Sequence, residues 1–294
     1  MMRRTRAVLH RMWCAAVFLI LIQSERPLTS VLQHQRLFLL TGDWAGAKAA
    51  LRNPKCCVVS VSGLEPLLRV LQTQWANSPD DLDLRMRVRA RSSAHDDCLR
   101  VFHGVSPSLN ESPWNNPCTA ALEELARGTA SLADGPLEGI CEDVFIRIVC
   151  ASDYRARHPM FHTDKAPLRG YVTLCGPGTE FMTRPSTPME YVTLRTLGTG
   201  EPTKSVRRAE ELEFIVMKGD YYKAPATSPS DAALWLTSLW QRVSACVHRS
   251  PPAMRTAGGR RVIVSVDLAD GDDNREWFQV GTKRSWRSGM NQRK

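Results

Sequence analysis

His162, Thr163 and Asp164 stand together in the chain, and 84 residues beyond the Asp comes His248, in the string Val247-His248-Arg249-Ser250-Pro251-Pro252. In an extended segment successive side chains alternate faces, so the outer residues of His-x-Asp point the same way and can grip one ion. A second, distant His would complete a facial triad. Two imidazoles and one carboxylate leave about three of six octahedral positions open, which suits Fe(II) oxygen chemistry rather than a closed structural site. His162, Asp164 and His248 are therefore the expected metal ligands and the expected catalytic centre. The same donor types also suit zinc, so a cupin-like protein that holds zinc without turnover is the alternative.

The elements around these residues must bring them together. Glu142 to Cys150 reads as an apolar strand leading toward the triplet, and Leu168 to Leu174 as a buried strand. Cys175 to Phe181 is a glycine-rich turn into a further strand. Leu212 to Met217 is a strand stopped by Lys218-Gly219-Asp220, and Arg261 to Asp267 is a strand entered from a Gly258-Gly259 turn. His-x-Asp first, short strands next, then a distal His and an Arg on the following strand is the order of a double-stranded β-helix oxygenase. There a planar guanidinium forks onto the distal carboxylate of 2-oxoglutarate. Arg261, 13 residues past His248, is the preferred clamp, with Arg260 beside it as the other choice. Alternation puts Ile263 and Ser265 on the face of Arg261, so the Ser265 hydroxyl could assist the same carboxylate. Arg169 and Lys218 are candidates to contact substrate or stabilise the site. His158 would compete as a ligand only on a helix, and Pro159 disfavours that conformation for the residue before it.

Taken in order, Phe161-His162-Thr163-Asp164, Leu168-Arg169, Gly176-Pro177-Gly178-Thr179-Glu180-Phe181, Lys218-Gly219, His248-Arg249-Ser250-Pro251, Arg260-Arg261 and Asp267 resemble the family of domain of unknown function 1826 (DUF1826). The resemblance spans roughly residues 140 to 270, with a weaker helical region before it. It implies a cupin-like metal site and supplies no substrate, small molecule or protein. The stretch from Tyr221 to Val243 looks longer than the family's pattern needs. Its expected helix, Ser230 to Arg242 with Leu234, Trp235, Leu236, Leu239 and Trp240, reads as an insertion on the barrel exterior or a substrate lid.

The fold class expected from these readings is α+β: a mixed helix and strand region over 27–135 packed on a double-stranded β-helix over 136–270. Asp43 to Arg52, Pro117 to Ala133 and the face Leu64, Leu67, Leu68, Leu71, Trp75 read as helices, and Lys55 to Val61 as a strand. Residues 1–26 carry five Arg against one Glu around an apolar run from Met12 to Ile22. That run is short for a membrane span and fits a targeting segment, secretory or organellar. Residues 271–294 form a basic tail.

The net charge is +9, but the two ends supply +4 and +3 of it, leaving +2 on residues 27–270. Nucleic-acid binding is thus not expected of the barrel, and a module using the tail and an arginine row is the weakest alternative. That row, Arg85, Arg87, Arg89 and Arg91 in an alternating strand, reads as a solvated or acid-paired edge. The nine cysteines include no Cys-x-x-Cys, so neither a disulfide framework nor a zinc module is indicated.

Overall fold

The computed structural model describes residues 39–41, 43–53, 55–76, 81–105, 117–133, 143–151, 160–187, 190–191, 193–194, 205–220, 222, 245–251 and 260–269. The expected targeting segment, the Ser230–Arg242 helix, the basic tail, His158 and the Gly258-Gly259 turn lie outside the described residues.

The chain is a mixture of helices and largely antiparallel sheet. In order, the elements are β1 (Leu39–Thr41), α1 (Trp44–Arg52), β2 (Val58–Val61), α2 (Glu65–Trp75), β3 (Leu82–Arg89), α3 (Ala94–Val105), α4 (Pro117–Ser131), β4 (Asp143–Ala151), β5 (Leu168–Cys175), β6 (Glu180–Met182), β7 (Val206–Arg208), β8 (Phe214–Lys218), β9 (His248–Arg249) and β10 (Arg261–Leu268). Seven strands form one sheet in the order β1-β2-β8-β5-β10-β4-β3, and three form a second in the order β7-β6-β9. The larger sheet runs across the expected boundary at residue 135, because β1, β2 and β3 precede that boundary and pair within the same sheet. Within that sheet only β1 and β2 pair in parallel.

Alternation gives the larger sheet two different faces. Val262, Val264 and Val266 of β10, Val144, Ile146 and Ile148 of β4, and Leu84 and Val88 of β3 point into the main core with Leu68, Leu71, Trp75, Leu122 and Leu125 of the helices. Burying such apolar side chains contributes about 1.5–3 kcal/mol each, which fixes the register of every strand involved. Asp43 caps α1 by accepting from the Gly46 N–H at 2.7 Å. Trp44, the first residue of α1, donates its indole N–H to Glu124 at 2.8 Å and meets Phe214 edge-on.

The opposite face meets the smaller sheet. Val58, Ile215 and Met217 of the larger sheet pack on Phe181 of β6, with Cys57, Ala209 and Cys246 completing that cluster. Between this cluster and the β3 edge the same face carries many polar residues, Arg169 and Tyr171 on β5, Ser265 and Asp267 on β10, Arg147 on β4, Arg85 and Arg87 on β3, with Phe145, Val149 and Ile263 among them. They are cross-strand neighbours, as in the row Arg85, Arg147, Ser265, Tyr171.

The arginine row lies on the edge strand β3 and just past it, with Arg87, Arg89 and Arg91 exposed and Arg85 half-buried. Helix α3 covers the other face, with Gly104 lying against Leu84. Three of the four arginines of the row are acid-paired: Arg87 with Asp143, Arg89 with both oxygens of Asp97 at 2.9 and 3.0 Å, and Arg85 with Asp267 at 3.8 Å. Seven cysteines among the described residues are free thiols, six of them buried. Among the described residues no helix is long and apolar enough to cross a membrane.

Candidate metal centre

His162 and His248 are neighbours because their backbones are. Each N–H donates to the other's carbonyl at 2.9 Å, extending the smaller sheet by one bridge beyond β9. Alternation then does the sorting. Phe161 and Val247 are buried with Met182 and Leu194 on the far side, while both imidazoles turn inward, their ring centroids 4.5 Å apart. Arg249 spans the far side, with its guanidinium over the Phe161 ring and bonded to Glu180 at 2.7 Å.

Thr163 and Asp164 do not continue the strand. Asp164 sits where the chain has left the sheet, and the turn after β8 holds it there: Asp220 N–H donates to the Asp164 carbonyl at 2.7 Å and Gly219 N–H to that of Pro167 at 2.9 Å. A Cβ on Gly219 would stand 1.8 Å from the Ala166 carbonyl oxygen and 2.7 Å from that of Asp164, so only glycine lets the two turns touch.

One donor atom from each of His162, Asp164 and His248 lies within 4.8 Å of the others. Nδ1 of His162 is 3.0 Å from the Met160 carbonyl and Nδ1 of His248 is 3.2 Å from the Cys246 carbonyl. A carbonyl only accepts, so each Nδ1 carries the proton and each Nε2 lone pair is left for the centre. Asp164 Oδ2 lies 3.1 Å from His248 Nε2 in a contact not directed as a hydrogen bond, and this buried oxygen accepts none. Oδ1 is taken by Arg169 Nη1 at 2.6 Å. Burial opposes ionisation of Asp164, but the adjacent Arg169 guanidinium favours it, and the carboxyl is held below the usual carboxylate range. Two lone-pair nitrogens and an orphaned carboxylate oxygen converging on one point are a donor set for a dication.

A pocket opens beside the triad, lined by both histidines, by Arg147, Val149, Arg169, Tyr171, Ile263 and Ser265 from the larger sheet, and by Thr179 and Ser250. Arg261 is wholly buried at its back, reaching Thr179 Oγ1 at 3.1 Å and Tyr171 Oη at 3.4 Å, two neutral hydroxyls that line the cavity. Thr179 is set by the turn before it: its carbonyl accepts from Ala209, and a Cβ on Gly178 would stand 1.9 Å from the Ala209 carbonyl oxygen. Ser265 joins Arg261 on this face, as alternation required.

The structure does not gather every expected residue. Arg260 lies on the opposite side of β10, with Val262 and Val264, and its charge falls near Cys150. Lys218, expected to touch substrate, is 2% exposed and points to the other end of the sheet, donating to the Asn53 carbonyl at 2.9 Å beneath the Tyr222 ring. Burial pushes its ammonium down to about 8, against the pull of Cys56 and Cys57. Arg169 lines the pocket, but its fork is spent on Asp267, at 2.5 and 2.8 Å.

Three pocket or supporting residues carried a signal to a role that sequence reasoning did not give them. Arg147 is the one charge within the apolar stretch Val144 to Cys150, and it forks onto Asp83 at 2.8 Å through both Nε and Nη2. Tyr171 is two residues from Arg169, and Asp267 two from Ser265, each on the face already assigned. Thr179 carried no signal beyond its turn.

None of the curated proteins matches the chain. Among solved structures it is similar to dioxygenase for auxin oxidation 1 from Arabidopsis thaliana in a 2-oxoglutarate complex, at 13% identity over 79% of this chain and 91% of that one, with a TM-score of 0.46. The rice dioxygenase for auxin oxidation gives 14% identity over 80% and 84%, TM-score 0.45. A bsmA homolog from Methylobium petroleophilum gives 12% identity over 79% and 95%, TM-score 0.44. A family model described as protein of unknown function (DUF1826) matches residues 57–267, well over half of the sequence, and the chain belongs to that family.

Proposed function

We propose that this protein is a non-haem Fe(II)- and 2-oxoglutarate-dependent dioxygenase on a double-stranded β-helix, with His162, Asp164 and His248 holding the metal. The observation that carries the reading is the triad itself: both Nδ1 protons are committed to carbonyls, both Nε2 atoms and the unbonded Asp164 Oδ2 face one point, and a pocket adjoins it. When bound, the metal with its oxoacid would supply the oxygen activation needed to hydroxylate or demethylate a carbon.

The chain's own residues bind and orient. Arg261 would clamp the distal carboxylate of 2-oxoglutarate with its planar guanidinium, beside the hydroxyls of Thr179 and Tyr171 that line the cavity. Tyr171, Thr179 and Ser265 would add hydroxyl contacts, and Ile263 and Val149 would exclude water from the cavity wall. Arg147, tied to Asp83, would border the opening without claiming the co-substrate.

Anaerobic titration with Fe(II), with and without 2-oxoglutarate, tests this. A weak visible charge-transfer band that needs both components and is lost in His162→Ala is the expected result. Tight zinc binding with no such band would replace the oxygenase by a metal-holding protein.

A further inference from the structure

Arg169 and Asp267 are directly opposed across the β5–β10 pair. Nε and Nη2 of Arg169 donate to the two Asp267 oxygens, and Nη1 forms an ion pair with Asp164 Oδ1 at 2.6 Å, so one guanidinium joins two carboxylates whose side chains are 5% and 12% exposed. From the edge strand, Arg85 lies 3.8 Å from the same Asp267 and stacks on Phe145, the residue paired with Asp267 on its other side.

Two effects of Arg169 on a bound dication oppose each other. Its ion pair with Oδ1 orients the carboxylate and leaves one oxygen for the ion, but a positive charge this close also repels the ion. Asp267 settles the balance. Asp267 sets a negative charge against the Arg169 guanidinium at 2.5 Å, much closer than the half-buried Arg85 at 3.8 Å, and so offsets the repulsion while the ion pair holds Oδ1.

Resting on the metal-centre reading above, we infer that Arg169 and Asp267 are a positioning pair that limits Asp164 to a single ligating oxygen. With Asp164 so limited, two histidines and one carboxylate oxygen fill about three of six positions. The remaining three would be left to co-substrates. A carboxylate released to chelate through both oxygens would close one of them.

The test is Co(II) titration of the full chain followed by absorption, for wild type, Arg169→Met, Arg169→Lys, Asp267→Asn and the Arg169→Met/Asp267→Asn double variant. Each of Arg169→Met and Asp267→Asn should lose about 10- to 100-fold in Co(II) affinity, the range for groups that orient metal ligands. The double variant should lose no more than the weaker single variant, because the two side chains act as one unit. Arg169→Lys, keeping the charge without the fork, should fall between wild type and Arg169→Met. At saturating Co(II) the variants should bind 2-oxoglutarate more weakly than wild type, which a loss of general stability would not produce.

Singles that match wild type within about twofold, or that add fully in the double, overturn the inference. Should Arg169→Met fail to fold, Asp267→Asn and Arg169→Lys decide by the same criteria. A wild type that binds no Co(II) would instead sink the metal-centre reading on which the pair depends.

Discussion

Single residues at this site are held by neighbours far away in sequence. Gly219 shows how. A methyl group there must displace the Ala166 and Asp164 carbonyls, so Gly219→Ala should weaken Fe(II) binding by at least about tenfold through a shift of Asp164, measured by anaerobic titration. Retained affinity would mean that the loop carrying Asp164 positions itself. Lys218 precedes that glycine, and its burial has its own signature. Its pKa of about 8 in the folded chain is below the ordinary 10.5, so the unfolded chain binds more protons between those values. The cost of burying the charge is fully present below pH 8 and is relieved as pH rises toward 10.5. Relative to Lys218→Met, wild type should therefore gain stability over that window, on the order of 3 kcal/mol, in paired urea melts at pH 7.5 and 10. Parallel pH curves for the two proteins would refute this.

At the scale of elements, apolar runs were the most legible part of the sequence. β4, β5, β8 and β10 fall within a residue or two of their expected spans, because each is an apolar run bounded by turns. α1, α2 and α4 were also legible from caps and spacing. The short strands β7 and β9 were not, since three residues or fewer carry no period and their pairing comes from the other strands. Helix α3 went unread because its start, Ala94-His95-Asp96-Asp97, looks polar, yet Asp97 is buried. Asp97 accepts from the Arg89 N–H at 2.9 Å and from its guanidinium, tying α3 to the edge strand β3. Asp97→Ala should cost about 2 kcal/mol in urea denaturation, by leaving those donors without their acceptor. A change under about 0.5 kcal/mol would mean that the strand edge does not depend on this tie. His-x-Asp was legible as a ligand pair, but its place was not: His162 is bridged to β9, while Asp164 belongs to a loop fixed by the β8 turn.

For the whole molecule, charge and chemistry are separated along the chain. Residues 271–294 carry +3, lie past the family match at 57–267, and should be dispensable for the site. Deleting them should leave Fe(II) and 2-oxoglutarate binding unchanged while lowering any salt-sensitive retention on a polyanionic column. Loss of Fe(II) binding on that deletion would place the tail in the site. In the arginine row, the other basic feature, Arg85, Arg87 and Arg89 pair with Asp267, Asp143 and Asp97 within the fold.

The central claim, that one dication on His162, Asp164 and His248 recruits 2-oxoglutarate through Arg261, is tested most directly by native mass spectrometry of the Fe(II)-loaded chain under argon. One metal per chain, a 2-oxoglutarate adduct only on the metal-bound species, loss of the metal in His162→Ala/His248→Ala, and loss of the adduct but not the metal in Arg261→Met are the predicted results. Metal retained by the double histidine variant, or an adduct that forms without metal, would contradict the account.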